Sequence, residues 1–531
     1  MASRRRTYGT AHHHLAAGIL CLLLAVPLAS VWAQTATGVV FDDANANGAR
    51  DGDEPGIAGV GVSNGTEVTT TDEQGRWTLP CDDDCILFVI KPTGWAVPLS
   101  EDNVPRFYTI HKPDGSPQMK YDGVAPTGPL PASVDFALRR SEEPGEFRAL
   151  LIGDTQVSNV EEIQYLCHDV LEGIATGEDE ASLAFSLGDN ANNVPDLFGR
   201  ISGAMACLGM PVYYVNGNHD RNYDSPGAPH DVATFNRHFG PADYSLNYGG
   251  VHFIVLNDVV TTEGANYAGG FNDEQLAFVE NDLALVPKDT LVVYMMHIPM
   301  VENIRRRADF FALFEGRENV FGVSAHWHKQ SHWFMGPDQG WPNEQRHHHL
   351  VNVTACGAWW GGKLDYYGLP DTTMSDGVPN GYTVLHCSGN TYRTEYVPSR
   401  LPRRYQMRIW TPEVVAADEA GKTRVYVNVF AGSERSTVEM RVGDGADWVA
   451  LDRVPNPRKE DVEAYKAAFA ERVAKRQKYD GEYQLAGLEP SPHLWAGTLP
   501  EGMQPGYHWV RVRTTDMYGT QYEAVRLFEV Q

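Results

Sequence analysis

LLIGDTQVSN, residues 150–159, sets an apolar run against a glycine, an aspartate and, two positions on, a glutamine. Such a run reads as a buried strand that delivers a polar side chain past its own end. The pattern recurs along the chain. AFSLGD ends on Asp189, VYYVNGNHD runs into Asn218, His219 and Asp220, VVYMMH into His297, and FGVSAHWH into His326 and His328. Helical patterns such as VEEIQYLCHDVLEGIA and DEQLAFVENDLALVP stand between the runs, so residues 147–390 are expected to form sheets covered by helices. In open α/β sheets ligands collect beyond the carboxyl ends of the strands, which would gather these five polar tips in one place.

The residue types fit a pair of metal ions. Two ions about 3.5–4 Å apart need one ligand that reaches both, and a carboxylate, with two oxygens and a full charge, does this best. Asp189 is the expected bridge. Imidazoles and an amide oxygen complete each shell without repelling a phosphate, which selects Asn218, His297, His326 and His328. Any one motif alone has an ordinary reading, since Gly-Asp after a strand is a common turn. Five in order are harder to assign to turns.

The order Asp-x-His, Gly-Asp, Gly-Asn-His-Asp, a lone His, then Gly-His-x-His is the signature of calcineurin-like metallophosphoesterases. The chain resembles it over about 175 residues through Asp154-Thr-Gln156, Gly188-Asp189, Gly217-Asn218-His219-Asp220, His297 and Ala325-His326-Trp-His328. Gln156 replaces a histidine and Ala325 a glycine. The resemblance implies a four-layer α/β sandwich. It assigns Asp154, Gln156, Asp189 and His328 to a first metal, and Asp189, Asn218, His297 and His326 to a second. It also implies that His219 faces the substrate phosphoryl group as proton donor, oriented by Asp220. Manganese, iron or zinc would suit such a mixed nitrogen and oxygen site. The implied reaction is hydrolysis of a phosphate mono- or diester by in-line attack of a metal-activated hydroxide. The alternative is a surface-binding protein on a degenerate, inactive scaffold, which Gln156 keeps open.

Outward from this core the chain changes character. Residues 35–140 carry short β-type runs and turns, predicting an all-β sandwich module; RRSEEPGEF, residues 139–147, reads as a linker. Residues 391–531 return to β-type runs, interrupted by one charged helical stretch, RKEDVEAYKAAFAERVAKR, and predict a mainly β domain. This three-part arrangement is similar to that of exported metallophosphoesterases. Residues 1–33, with Arg4 to Arg6, an apolar stretch and Val31-Trp32-Ala33, read as a signal peptide, and the mature chain as exported, periplasmic or secreted. No later segment is long and apolar enough to span a membrane. The formal net charge of −26 excludes general affinity for nucleic-acid polymers.

DANANGARDGDE, residues 43–54, meets a calcium-loop template: Asp43, Asn45, Asn47, Asp51 and Glu54 offer side-chain oxygens, Ala49 a carbonyl, and Gly48 the turn. Calcium in an oxygen cage there would stabilise the N-terminal module. Among the cysteines left after signal removal, Cys81 and Cys85 are the pair easiest to join in a disulfide. Trp359 and Trp360, on a Gly- and Pro-rich loop, are expected to wall the non-phosphate part of a substrate or to plug an interface. His12 to His14 and His347 to His349 fit nothing in this scheme and read as solvated tracts.

Overall fold

The computed structural model describes residues 34–177, 179–262, 266–443, 445–454 and 491–531. The expected signal peptide, His12 to His14 and the charged helical stretch lie outside the described residues. The structure is multi-sheet and mostly β, with few helices.

Two sheets hold the site. The first has the strand order Val212–Tyr214, Leu183–Ser186, Glu146–Ile152, Gly381–Ser388, Thr391–Pro398, with the first three parallel and the last two an antiparallel hairpin. In the second, Val251–Val255, Val292–Met295, Val320–Ser324 and His347–Val351 are parallel neighbours; Tyr244–Tyr248 and Ser331–Met335 close the edges antiparallel. Burial on both faces explains why these strands read as continuous apolar runs. The strand period of two sorts their side chains. Phe147, Ala149, Leu151 and Phe185 share one core with the second sheet, where Phe185 meets Phe253 at 5.2 Å between ring centroids. Leu150, Ile152 and Ala184 point the other way, into a core with Leu166, Phe198 and Ile201 of the helices Val160–Leu166 and Phe198–Met205. Beyond the second sheet, Tyr294 meets Phe310 of the helix Arg307–Ala312 at 5.2 Å.

Local chemistry starts the helices where it is needed. The Asn159 side chain accepts from the Glu162 N–H, and Asn272 and Gln275 cap the helix Asp273–Leu283 reciprocally. The long helical pattern after Asn159 is broken by a π turn, Cys167–Leu171.

The N-terminal module is two four-stranded sheets around Trp77, Leu79, Val62 and Leu87. Residues 407–454 and 491–531 contain a four- and a five-stranded sheet around Val427, Met440, Trp495 and Val512. A small shared core joins Phe430 to Val353, Met374, Val378 and Tyr396.

Three expectations change. The boundary drawn at residue 390 falls in the turn of a hairpin, and Thr391–Pro398 stays in the first central sheet through eight paired residues. His347, His348 and His349 are not solvated: all three are buried on an inner strand of the second sheet. The six described cysteines are free thiols, so Cys81 and Cys85 are not joined, and the Cys81 thiol faces the Asp82 carbonyl at 3.7 Å. No helix among the described residues is long and apolar enough to cross a membrane.

Candidate metal centre

Each expected ligand follows a central strand, and the backbone there is bent to suit. Asp154, Gln156, Asp189, His326 and His328 have φ between 35° and 69°, the left-handed region that side chains rarely adopt. Such strain concentrates where a side chain must be aimed. Two glycines make room: a Cβ on Gly217 would lie 2.0 Å from the Asp189 nitrogen, and one on Gly188 2.5 Å from His297 Nδ1. The Gly-Asp and Gly-Asn-His-Asp glycines are therefore steric requirements of the site.

The side chains converge. Asp189, His297 and His326 bring potential ligand atoms within 4.8 Å of one another. Asp189 Oδ2 stands 3.2 Å from His297 Nε2 and 3.2 Å from Gln156 Nε2, while its Oδ1 accepts from the His219 N–H at 2.7 Å. Asn218 Oδ1 is 3.1 Å from His297 Nε2, and His326 Nδ1 is 3.2 Å from the same nitrogen. Asp154 Oδ1 is 3.8 Å from His328 Nε2. The seven expected ligands thus share one cluster.

Ring orientation is fixed from behind, as metal-binding imidazoles require. His297 Nδ1 donates to the Leu187 carbonyl at 2.9 Å and His328 Nδ1 to the Gly357 carbonyl at 2.5 Å, so both present Nε2 to the cluster. His326 is reversed: Nδ1 faces inward, and Nε2 faces Glu302 Oε1 at 4.0 Å. The Trp327 indole N–H holds that carboxylate.

The electrostatics suit a cation. Asp154 is buried, its Oδ1 has no hydrogen-bond partner, and burial pushes its carboxyl up to about 8. Burial also opposes the Asp189 charge, but the neighbouring histidines, His297 first with His219 and His326, together outweigh it and hold the carboxyl below its usual range. Burial and the neighbouring His297 push His326 down to about 3; burial brings His328 to about 4. Burial opposes a charge on His297 as well, but Asp189, Asp154 and the Leu187 carbonyl together push that imidazole up to about 10, so it would give up its proton to a bound ion. With His326 and His328 neutral beside buried carboxylates, the donor set fits divalent or trivalent ions.

His219 lies at the rim, with Nε2 4.0 Å from Asp189 Oδ2. Its expected partner is not the one found. The Asp220 carboxylate accepts from the backbone N–H groups of Asn190, Ala191 and Gly217 and from the Asn190 side chain, all at 2.9–3.0 Å, which fixes the loops rather than the imidazole. Asn193 takes the orienting place: its Oδ1 is 2.9 Å from His219 Nδ1 and its N–H donates to the His219 carbonyl at 3.1 Å. Two asparagines in ANN, residues 191–193, were the only sequence signal for it.

The paired tryptophans divide. Trp359, 47% exposed, stacks on His328 at 4.2 Å. Trp360, 4% exposed, is packed beneath the first sheet and donates to the Thr155 carbonyl at 2.8 Å, so it supports the Asp154 loop and does not wall a substrate.

In the loop of residues 43–54, Asp43 accepts from the N–H groups of Asn47 and Gly48, and Glu54 from those of Ala44 and Asp51. Asn45 and Asn47 donate to Asp51, and the Ala49 N–H donates to Asn47. Its acids do not gather as closely as the central cluster.

Two family models match the chain: the N terminal of calcineurin-like phosphoesterase over residues 44–122, and the C terminal of calcineurin-like phosphoesterase over residues 349–522. A search of curated proteins gave no match. Among solved structures, the chain is similar to purple acid phosphatase PPD1 from yellow lupin (Lupinus luteus) seeds, at 13% identity, covering 64% of this chain and 67% of that one with a TM-score of 0.36. It is also similar to PhoD, at 9% identity, covering 75% and 90% with a TM-score of 0.36. At these scores neither defines the architecture.

Proposed function

We propose that this chain, a calcineurin-like metallophosphoesterase with N- and C-terminal modules and hence a metal-dependent phosphoric ester hydrolase, is an exported enzyme that uses two ions to cleave a phosphate mono- or diester. The observation that carries the two-ion reading is the buried, unpartnered Asp154 Oδ1 beside the Asp189, His297 and His326 group. A single ion at that group would leave Asp154 and His328 without a purpose.

In this reading Asp154, Gln156, Asp189 and His328 hold the first ion, and Asp189, Asn218, His297 and His326 the second, manganese, iron or zinc serving in either place. Bound ions supply Lewis acidity toward the phosphoryl group and a hydroxide near neutral pH. The chain does the rest. His219, as the imidazolium, gives its Nε2 proton to the leaving oxygen and keeps its Nδ1–H on the Asn193 Oδ1. Asp220 keeps the Asn190 and Gly217 loops in register. Trp359 flanks the opening on the His328 side, where it can meet the remainder of the ester.

The central sheets with helices on their outer faces support a four-layer sandwich. We place its limits at residues 147 and 398, after a signal peptide of residues 1–33 and a β module of 35–140, with the C-terminal β domain following. The loop of residues 43–54 is read as a calcium site. A degenerate binding scaffold is not favoured, because the cluster retains every expected ligand in contact with another.

Metal-free chain reconstituted with manganese, iron or zinc and given aryl phosphate mono- and diesters tests this. Turnover with at least one metal is expected, and His219→Ala should lose roughly 10²–10⁴-fold of it while binding the same metal. A folded chain inactive with every metal would overturn the reading.

A further inference from the structure

Far from the rim, a buried pair joins the C-terminal domain to the metal centre. His493 and Asp376 side chains are both fully buried, with His493 Nε2 3.1 Å from Asp376 Oδ2. His493 lies just before the strand Leu494–Thr498 of the C-terminal domain; Asp376 is on the loop that follows Trp359 and Trp360. The other ring nitrogen of His493 faces Asn428 Oδ1 at 2.6 Å, and the Asn428 amide donates to the Asp376 carbonyl at 2.9 Å. The C-terminal domain therefore grips Asp376 by both side chain and backbone.

Asp376 passes that grip on. The same Oδ2 accepts from the Gln330 N–H at 2.8 Å, two residues past His328. The adjacent Ser375 donates to the His328 carbonyl from its hydroxyl at 3.1 Å and from its N–H at 3.3 Å. His328 stands in the left-handed region, with φ of 51°, a conformation that needs surrounding structure to hold it. These bonds tie down its backbone, while Gly357 and Trp359 meet its ring.

We propose that His493 and Asp376 are positioning residues for the metal centre: the C-terminal domain acts through them to hold His328 at its ligating angle. The inference rests on the two-ion reading above, in which His328 binds the first ion. It assigns the C-terminal domain a part in the chemistry and predicts an effect confined to one ion. A loss of general stability would not have that selectivity, because the bonds of this pair run to Gln330 and Asn428 and not to Asn218, His297 or His326.

The test uses the full chain loaded with manganese, with ion equivalents counted by elemental analysis after dialysis, and with amide exchange followed over residues 326–332. His493→Leu is expected to weaken one of two equivalents roughly 10–100-fold and to raise exchange over that segment, leaving the other equivalent bound. His493→Gln, which keeps a donor toward Asp376, should restore most of the lost affinity. Ser375→Ala, which removes one bond to His328 without emptying the buried pair, should weaken the same equivalent by a few-fold, and it serves if His493→Leu does not fold. Full retention of both equivalents in Ser375→Ala and in a folded His493→Leu would overturn the proposal, as would an equal loss of both. His328→Ala is the reference. If it loses one equivalent while the His493 and Ser375 variants lose none, the positioning role alone fails; if it keeps both, the two-ion assignment fails with it.

Discussion

Asn193 replaces Asp220 as the group that orients His219, and the difference is chemical as well as geometric. An amide oxygen accepts from Nδ1–H and so turns Nε2 toward the substrate, where a protonated ring can donate, yet it brings no charge to favour that imidazolium. Asn193→Ala should lower kcat roughly tenfold with metal content and fold unchanged, as loss of an outer-shell contact does; unaltered kcat would show that His219 needs no such support. Gln156 is the other residue where detail matters. Its amide nitrogen faces Asp189 and its oxygen lies 3.7 Å from the Cys356 thiol, so ligation through the oxygen requires the amide to turn over. Gln156→His should tighten the first ion if this position faces the metal, measured by competition with a chelating dye; unchanged affinity would place Gln156 outside the shell. The cluster of candidate ligands was legible in the sequence because metal chemistry restricts residue types and strand ends restrict spacing. Asn193 and Glu302 were not, since an orienting contact leaves no pattern in the chain: Glu302 is simply the acid that the turn after His297 brings under His326.

At the scale of elements, the apolar runs predicted strands well, and the five central runs read from the sequence all lie on strands. The failure was the strand His347–Val351, where three histidines in a row resemble a solvated tract. Its neighbours in space decide otherwise, for it lies between Val320–Ser324 and Ser331–Met335, far apart from it in pattern. Aromatic faces cover both sides: Trp341 lies 4.4 Å from His347, and Phe334 4.9 Å from His348. Burial pushes His347 and His332 down to about 3, and His348 and His349 well below the usual range. The folded chain keeps these rings neutral, while the unfolded chain protonates them below about pH 6.5. The unfolded state then binds more protons, so stability is fully present above that pH and is lost as pH falls toward about 3, by up to about 1.4 kcal/mol per pH unit for each ring. The urea midpoint should accordingly drop between pH 7 and pH 5; a flat profile across that range would contradict the buried, neutral state.

At the scale of the molecule, the flanking modules behave differently toward the centre. The N-terminal module carries the loop of residues 43–54, in which Asp43 and Glu54 are buried and accept from backbone N–H groups. Calcium at 100 times its dissociation constant would add about 2.7 kcal/mol to that module. The melting temperature should therefore rise with millimolar calcium in the full chain and stay fixed in Asp43→Ala; no rise in either would leave the loop a plain turn. The C-terminal domain, by contrast, shares a core with the centre through Phe430 and Val353, so the chain's three-part composition, plain in the sequence, understates how far two of the parts are merged. Composition marks where strands change type, but it carries no information about which side chains cross between sheets.

The left-handed backbone at Asp154 and Asp189 decides which substitutions there can be interpreted. Glycine would relax the backbone and abolish the ligand together, and alanine would keep the strain while removing the oxygens. Asparagine tolerates the same conformation and nearly the same shape. Asp154→Asn and Asp189→Asn therefore vary charge at constant geometry, and on the two-ion reading the pair can divide metal affinity into a part owed to charge and a part owed to form.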